Sequence, residues 1–489
     1  MAHIHHVQIF VKNGTKYLQK FTRNANFRLF ATRKTANLRQ WAVQSGSIVF
    51  VITDMADTAL TEDSLAASDN DADVKSNRQE TETRSQAELK RPEPVHLSAI
   101  PDECFLEPSK LLKISETSRT AYPPNEHRDT VFNVAFEVRD VAETLARAAS
   151  NGAKVLCQPA VISDPTNGGH VTIAAVQSCI GNVVHTLIDS SPYNGVFLPG
   201  FVAAGDRSNL IGGSIGNNSK ATHNTSLVNG GPPMCLMSHI DHVTFACPIG
   251  SSSEALEFYE KCFGMKRFLL MSEESESEGF VVQGKNVGLR MKAMEYWHCA
   301  ETGLTLPAGQ EKGEDASKPR PPKAKFVIAE ALPGQGPNQV DRFLEQHGGA
   351  GIQHIGLHTP NILQAVSSLR QAGLDFIEPP PAYYTQVGKL TEISRIRDDV
   401  DLLQRMGILL DEETCCNDDV EGNSVKDGHK IQDGKTHCKY LMQTFTKPIF
   451  ERDTFFLEFI QRHGATGFGA GNIRALWRAV QSYMSYDDL

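Results

Sequence analysis

The sequence lacks several features that would place a protein in a well-defined class. It contains no run of 18 apolar residues, which argues against a membrane-spanning helix. The net charge is -10, which argues against a nucleic-acid partner and against a basic membrane-binding surface. None of the ten cysteines forms a C-x-x-C pair, so neither a structural zinc site nor a disulfide framework is expected. Reduced thiols in an intracellular protein fit this pattern.

The chain of 489 residues is long enough for two or three domains, and it contains an internal repeat. Two segments, beginning at Asn133 and His354, each predict a strand followed by a helix (142–150 and 363–371). In both, a glycine lies 19 residues and a proline 26 residues after the start: Gly152, Pro159, Gly373 and Pro380. The glycines suit the ends of helices, and the prolines are expected to stop the next strand. We therefore predict two copies of one β–α–β array.

The amino terminus supports two interpretations. Residues 12–40 carry eight Lys or Arg and no Asp or Glu, as a mitochondrial import signal does. However, residues 4–11 have a strand pattern, and residues 4–9 of it match 240–245 in the second copy. We favour a folded domain, and import without cleavage remains open.

Polar segments divide the chain. Residues 56–94 lack aromatic side chains and predict a disordered insert, and 204–235 predict a linker rich in Gly, Asn and Ser. Two further loop insertions are expected at 301–325 and 411–437. The predicted domains are therefore residues 1–203 and 236–489.

Three residues of the second copy lie in predicted strands and are candidate metal ligands: His242 in IDHVTF, His354 in GIQHIGLH and Glu458 in FFLEFI. A carboxylate inside an apolar run needs a cation to offset its burial. Two imidazoles and one carboxylate match the facial arrangement of non-haem iron(II) oxygenases, whereas an all-Cys or all-His set would indicate zinc. The matching positions of the first copy are His6, Asn133 and Thr186, so we expect no metal there.

Several longer runs carry a family resemblance: FLPGF (197–201), GGAGIQH (348–354), LMQTFTKP (441–448) and FFLEFIQRHGATGFGAGN (455–472). In these the chain resembles the 4-hydroxyphenylpyruvate dioxygenase family. The resemblance implies an α+β vicinal-oxygen-chelate fold with two tandem domains, each of paired βαβββ modules that form an open barrel. The G-x-G-x-G spacing at 467–471 is not the G-x-G-x-x-G of a dinucleotide site.

Position by position, the resemblance makes His242, His354 and Glu458 the Fe(2+) ligands. It implies substrate-binding roles for Gln339, Gln443, Phe468 and Asn472, and pocket positions close to the chemistry for Phe445 and Ile473. The chain departs from the family pattern at three places. Met291 stands where a Ser is usual, Ala329 where an Asn is expected, and Ile473 where the homogentisate-forming enzyme has Phe.

The function implied is a dioxygenase that acts on a 2-oxo acid, 4-hydroxyphenylpyruvate, and O₂. Aliphatic residues at the position of Ile473 go with 4-hydroxymandelate formation in this family. The animal branch with this property implies a mitochondrial location and a role in supplying the coenzyme Q head group. Three alternatives remain open: a homogentisate-forming dioxygenase of tyrosine catabolism, a catalytically inactive scaffold, and a lyase of the glyoxalase kind. Cytoplasmic location and a homodimer are also open.

Deleting residues 60–92 is expected to leave catalysis unchanged, because the segment has too little apolar content to join a core. Turnover and soluble yield of the deletion variant test this directly. A loss of either one would mean that the segment is structural.

Overall fold

The computed structural model describes residues 3–56, 129–205, 235–269, 274–275, 277–283, 288–296, 323–397, 399–413 and 439–484. The predicted insert 56–94 lies outside these residues except for Ala56, as does most of the predicted linker 204–235 and of the insert 301–325. The domain boundaries at 203 and 236 therefore remain a prediction. The insertion expected at 411–437 needs one correction, because its first three residues complete a strand that begins at Leu409.

The first sheet is built from residues of the amino-terminal half. Its nine strands are β1 (His3–Phe10), β2 (Arg28–Lys34), β3 (Leu38–Ser45), β4 (Ile48–Met55), β5 (Thr130–Glu137), β6 (Val155–Ser163), β7 (His170–Gln177), β8 (Val184–Asp189) and β9 (Val202–Ala203). They lie in the order β6-β7-β8-β5-β1-β4-β3-β2-β9. The helices are α1 (Gly14–Gln19), a π-helical turn (Lys20–Asn24) and α2 (Val141–Ser150).

The second sheet uses the carboxy-terminal half. Its strands are β10 (His239–Cys247), β11 (Met265–Phe268), β12 (Phe280–Gln283), β13 (Gly288–Tyr296), β14 (Lys325–Ala331), β15 (Gly351–His358), β16 (Leu409–Glu413), β17 (Lys439–Phe445) and β18 (Phe456–His463). Their order is β11-β13-β14-β10-β15-β18-β17-β16, and β12 pairs with β13. The helices are α3 (Ser252–Phe263), α4 (Gln339–His347), α5 (Ile362–Gln371), α6 (Pro381–Thr385), α7 (Val387–Ile396), α8 (Val400–Arg405) and α9 (Ala470–Met484). No helix of the described residues is both long enough and apolar enough to cross a membrane.

The strand registers confirm the internal repeat. An antiparallel pair lies at the centre of each sheet, β1 with β5 and β10 with β15, and a parallel strand flanks it on either side. Gln8 lies opposite Asn133 in the first sheet, as Thr244 lies opposite His354 in the second. On the next strand Val184 pairs with Asn133, as Phe456 pairs with His354. The two copies therefore align residue by residue through the strands that carry the candidate ligands.

Both copies contain the same irregularity in their first strand. The register shifts between Ile4 and His6 in β1, and between Ile240 and His242 in β10. Such a bulge sets two residues of one strand against a single partner residue and re-aims a side chain. In β10 the extra residue is Asp241, directly before a candidate ligand.

The prediction that the glycines of the repeat follow helix ends is confirmed, and the prediction that Pro159 stops a strand is wrong. Gly152 and Gly373 follow α2 and α5 with φ of 90° and 87°, a left-handed conformation that glycine adopts without strain. Pro159 does not stop a strand, because it lies inside β6, where the pairing with β7 is interrupted between Cys157 and Ala160. β6 is an edge strand, so the missing N–H of the proline is tolerated there.

The two halves share one apolar core, and polar contacts join them within it. The buried hydroxyl of Tyr259, on α3, is hydrogen-bonded to Ser178 at 2.8 Å and to the ring of His185 at 3.0 Å, both in the first half. Residues 3–10 form a central strand of the first sheet, which confirms the folded-domain interpretation of the amino terminus. Its possible use as an import signal stays a prediction.

Candidate metal centre

Three side chains converge on one point of the second sheet. His242 on β10, His354 on β15 and Glu458 on β18 lie on adjacent strands, and their ligand atoms all lie within 4.8 Å of one another. The Oε2 atom of Glu458 is 3.1 Å from Nε2 of His242 and 3.5 Å from Nε2 of His354. The structure thus brings together the three residues selected from the sequence. Their role as metal ligands stays a prediction.

Gly356 makes this convergence possible. It pairs with His242 on one side of β15 and with Glu458 on the other, so it lies between the two side chains that must approach each other. A Cβ atom at Gly356 would lie 2.3 Å from Cε1 of His242, far inside a normal contact distance. The central strand of the site therefore has no room for a side chain at this position.

The charges of the site are strongly coupled. Burial opposes ionisation of Glu458, but the two adjacent imidazoles outweigh that effect and hold the pKa of its carboxyl at about 2. Burial lowers the pKa of His242, yet the Glu458 charge and the hydrogen bond to Asp241 raise it overall. Burial dominates at His354 and lowers its pKa. These shifts favour an ionised Glu458 and favour a proton on His242 over one on His354.

Aromatic rings surround the three side chains. Phe456 stacks on His354 with ring centroids 4.7 Å apart, and the Phe468 ring meets His242 edge to face at the same distance. Phe445, on β17, pairs directly with Glu458 of β18. These rings keep the site apolar, which strengthens electrostatic interactions inside it.

An apolar wall continues from Phe468. Met291 on β13 pairs with Ala329 on β14, and both are buried in one cluster with Phe468 that Ile473 of α9 also contacts. The three departures from the family pattern therefore form a single surface. Sequence reasoning noted each departure, but their adjacency depends on strand register.

The amide residues predicted to bind substrate have different environments. Gln443 is buried on β17, and its Oε1 has no hydrogen-bond partner among the described residues. Asn472 is fully buried in α9, where its Oδ1 accepts from the Tyr383 hydroxyl at 2.6 Å and from Nζ of Lys389 at 3.3 Å, whereas its Nδ2 has no partner in the described part of the chain. Buried amide atoms without partners are suited to receive a polar ligand.

The fourth residue predicted to bind substrate, Gln339, has an exposed side chain, and its role stays a prediction. Gln339 is the first residue of α4, which the neighbouring Asn338 caps. The side chain of Asn338 accepts from the first-turn N–H groups, so the strand-to-helix turn is fixed by local hydrogen bonds. Gln339 therefore lies in the first turn of a helix whose Val340 and Phe343 pack in one cluster with Phe468.

The equivalent positions of the first copy are filled by neutral groups that bind one another. Asn133 Nδ2 donates to Thr186 Oγ1 at 2.8 Å, and the Thr186 N–H donates to Asn133 Oδ1 at 3.1 Å. No carboxylate stands at these three positions. The prediction that this half binds no metal remains to be tested.

Comparisons with known proteins decide the family. A family model described as the Glyoxalase/Bleomycin resistance protein/Dioxygenase superfamily matches residues 239–399. The 4-hydroxyphenylpyruvate dioxygenase-like protein of Homo sapiens is 35% identical over 353 residues, which cover 71% of this chain and 76% of that protein. The 4-hydroxyphenylpyruvate dioxygenase of Xenopus tropicalis is 30% identical over 360 residues, 73% of each chain. This chain belongs to the 4-hydroxyphenylpyruvate dioxygenase family.

A solved structure agrees on the fold. A mutant of 4-hydroxymandelate synthase from Streptomyces coelicolor matches with a TM-score of 0.60 at 20% identity, over 99% of this chain and 99% of that chain. The α+β vicinal-oxygen-chelate fold expected from the sequence is confirmed, as is the resemblance to the 4-hydroxyphenylpyruvate dioxygenase family. This chain is thus a member of a dioxygenase family that retains a His-His-Glu group able to hold a metal ion.

Sequence reasoning did not find two residues that contact the site. Asp241 is hydrogen-bonded to His242, and Arg462 is ion-paired with Asp241. The first could have been noticed as an acid next to a candidate ligand. The second lies 221 residues from its partner, so only the fold reveals the pair.

His354→Ala is expected to abolish metal binding and leave the fold intact, because it removes one of three ligands from a strand surface without opening a large cavity. Co²⁺ titration measures metal binding, and circular dichroism tests whether the fold is intact. His358→Ala, on the same strand, is the matched control and should bind metal normally. Stoichiometric metal in the His354→Ala variant would refute the ligand assignment.

Gly356→Ala is expected to weaken metal binding because the added methyl group displaces the His242 ring. Over-packing of this kind typically costs about 1–3 kcal/mol of folding free energy, so urea unfolding should register it as well. Gly388→Ala serves as the control, since a Cβ there meets nothing within 4 Å. Equal metal affinity in both variants would show that Gly356 does not control the approach of the ligands.

Proposed function

We propose that this protein is an Fe(II)-dependent dioxygenase that converts 4-hydroxyphenylpyruvate and O₂ to 4-hydroxymandelate and CO₂. The observation that carries this proposal is the convergence of His242, His354 and Glu458 beside an apolar wall that includes Ile473. Family membership supports the dioxygenase class. Substrate, product and metal are the further steps of the proposal.

The donor set suits Fe(II). Two imidazole nitrogens and one carboxylate oxygen are the donors found in non-haem iron(II) oxygenases, and these three residues would hold the ion while leaving positions for a chelating substrate and oxygen. The three side chains include no thiolate, which a closed structural zinc site commonly uses. Bound Fe(II) would supply oxygen activation, and decarboxylation of the 2-oxo acid would supply the two electrons, so no second organic substrate is required.

The residues around the triad would bind and orient the substrate. The unpartnered amide atoms of Gln443 and Asn472 offer hydrogen bonds to its polar groups. Phe445 and Phe468 offer aromatic surfaces against which a substrate ring can stack. Helix α9 begins directly after the loop that carries Phe468, so closure of this segment would exclude water.

The aliphatic side chain of Ile473 supports mandelate as the product. A Phe at this position could stack on the substrate ring and hold ring C1 toward the reacting oxygen, whereas Ile is smaller and has no π face. The ring can then move so that the benzylic carbon is presented instead. A displacement of about 1 Å at a reacting centre can change a rate by about 10²-fold. Met291 and Ala329 extend the same wall and remove polar contacts that would otherwise fix the ring.

The wider setting is also a proposal. Mandelate formation would supply the coenzyme Q head group from tyrosine in the mitochondrion, with the cytoplasm as the alternative location. A homodimer is proposed by analogy with the family. Homogentisate formation is the second candidate function, because relatives at 30% and 29% identity are named 4-hydroxyphenylpyruvate dioxygenase.

One experiment separates these outcomes. The protein is reconstituted with Fe(II) without oxygen, 4-hydroxyphenylpyruvate and O₂ are added, and the products are identified by mass spectrometry. We expect 4-hydroxymandelate. The absence of both products in a protein that binds iron would favour a catalytically inactive scaffold.

Ile473→Phe is expected to shift the product ratio from 4-hydroxymandelate toward homogentisate, because the larger ring constrains the substrate ring. Leu476→Phe is the matched control, since Leu476 lies on the same helix but packs against the main core instead of the apolar wall. The unsubstituted protein releasing chiefly homogentisate would overturn this prediction whatever the variant does.

A further inference from the structure

We propose that Asp241 and Arg462 form a positioning pair that fixes the His242 imidazole for metal binding and links it to the loop that carries Phe468. The inference rests on the proposed metal centre and adds to it two residues that are not ligands. Each step follows from contacts within the second sheet.

The bulge in β10 places Asp241 against its own neighbour. Asp241 is buried with 5% of its surface exposed, and its Oδ1 lies 2.9 Å from Nδ1 of His242. An ionised carboxylate can only accept, so Nδ1 of the ring carries the proton and donates it. This hydrogen bond occupies Nδ1 and directs Nε2 toward Glu458, 3.1 Å away, so Nε2 is the ring nitrogen left to bind a metal ion. Asp241 thereby selects the tautomer and the ring orientation that a metal ligand requires.

Arg462 also binds Asp241. Its Nε donates to Oδ2 and its Nη2 to Oδ1, both at 2.7 Å, in the two-pronged geometry typical of strong arginine–carboxylate pairs. Arg462 lies on β18, four residues after Glu458 and on the same face of that strand. The pair thus ties the strand of one candidate ligand to the strand of another.

The third nitrogen of Arg462 extends the connection to the loop. Its Nη1 donates to the carbonyl oxygens of Gly467 at 2.5 Å and Ala465 at 3.3 Å. The guanidinium lies 5.4 Å from the centre of the Phe468 ring, and that ring in turn meets His242. His242 contacts Asp241, Asp241 contacts Arg462, and Arg462 contacts Phe468, whose ring contacts His242 again. These contacts couple the orientation of the loop to that of the imidazole.

The first copy provides an internal comparison. Because His6 matches His242 and Thr186 matches Glu458, the positions of Asp241 and Arg462 correspond to His5 and Ser190. The bulge is retained there, but the acid and the arginine are both missing, together with two of the three ligands. The module therefore folds without the pair, and the pair accompanies the triad.

Energetics supports a positioning role over a purely structural one. A buried ion pair loses so much hydration that it often adds no net stability over an apolar pair of the same shape. Orientation of a metal-binding imidazole gives a physical reason to keep this pair. Loss of such an outer partner typically weakens metal affinity about 10–100-fold.

The test uses Co²⁺ alone as the probe, titrated into the full-length protein without oxygen. Asp241→Ala and Arg462→Met are each expected to raise the dissociation constant about 10–100-fold. The Co²⁺ dissociation constant of the double variant is expected to be no higher than the higher of the two single-variant values, because both residues act through one contact. The visible absorption of bound Co²⁺, which reports ligand geometry, should change in the same variants. If Asp241→Ala does not fold, Asp241→Asn keeps one acceptor oxygen and is measured in its place, with a smaller expected effect.

Asp54→Ala is the matched control. It breaks a two-pronged pair with Arg39, at 2.8 and 2.9 Å, in the half without the triad. Thermal stability should fall, but the Co²⁺ dissociation constant should stay within about twofold of the original. Folded Asp241 and Arg462 variants that bind Co²⁺ as the unsubstituted protein does would overturn this inference alone. An unsubstituted protein that binds no Co²⁺ would overturn the proposed function and this inference together.

Discussion

The buried carboxylate of Glu458 is the constraint on which the rest of the site depends. An ionised carboxylate inside a sheet is stable only beside positive charge, and the structure surrounds Glu458 with two imidazoles while its pKa falls to about 2. One of those imidazoles is held by Asp241, which in turn requires Arg462. Gly356 leaves the space in which the carboxylate and His242 meet. A metal ion would satisfy this set, because the three ligand atoms lie within 4.8 Å of one another.

The repeat shows how little of the chain the chemistry needs. Both copies share the order and register of their central strands and the bulge in the first strand. In the first copy, Asn133 and Thr186 satisfy each other by hydrogen bonds and carry no charge. The same backbone thus supports either a neutral polar contact or a charged triad. This is the expected behaviour of a fold whose function depends on a few side chains rather than on its architecture.

The sequence predicted the features that depend on local pattern. The strands and helices of the repeat follow from apolar periodicity, and the ligands stand out as polar residues in apolar runs. Features that depend on distant contacts were missed or wrong. Pro159 is tolerated inside an edge strand, and Asp241 meets an arginine 221 residues away. The pairing of Met291 with Ala329 likewise required the observed register.

Anomalous diffraction at the iron absorption edge, from crystals grown with Fe(II) in the absence of oxygen, tests the central claim most directly. The account predicts one strong peak per chain, bounded by Nε2 of His242, Nε2 of His354 and the Glu458 carboxylate, and no peak beside His6, Asn133 and Thr186. A map without iron at the triad, or with iron only in the first copy, would contradict it.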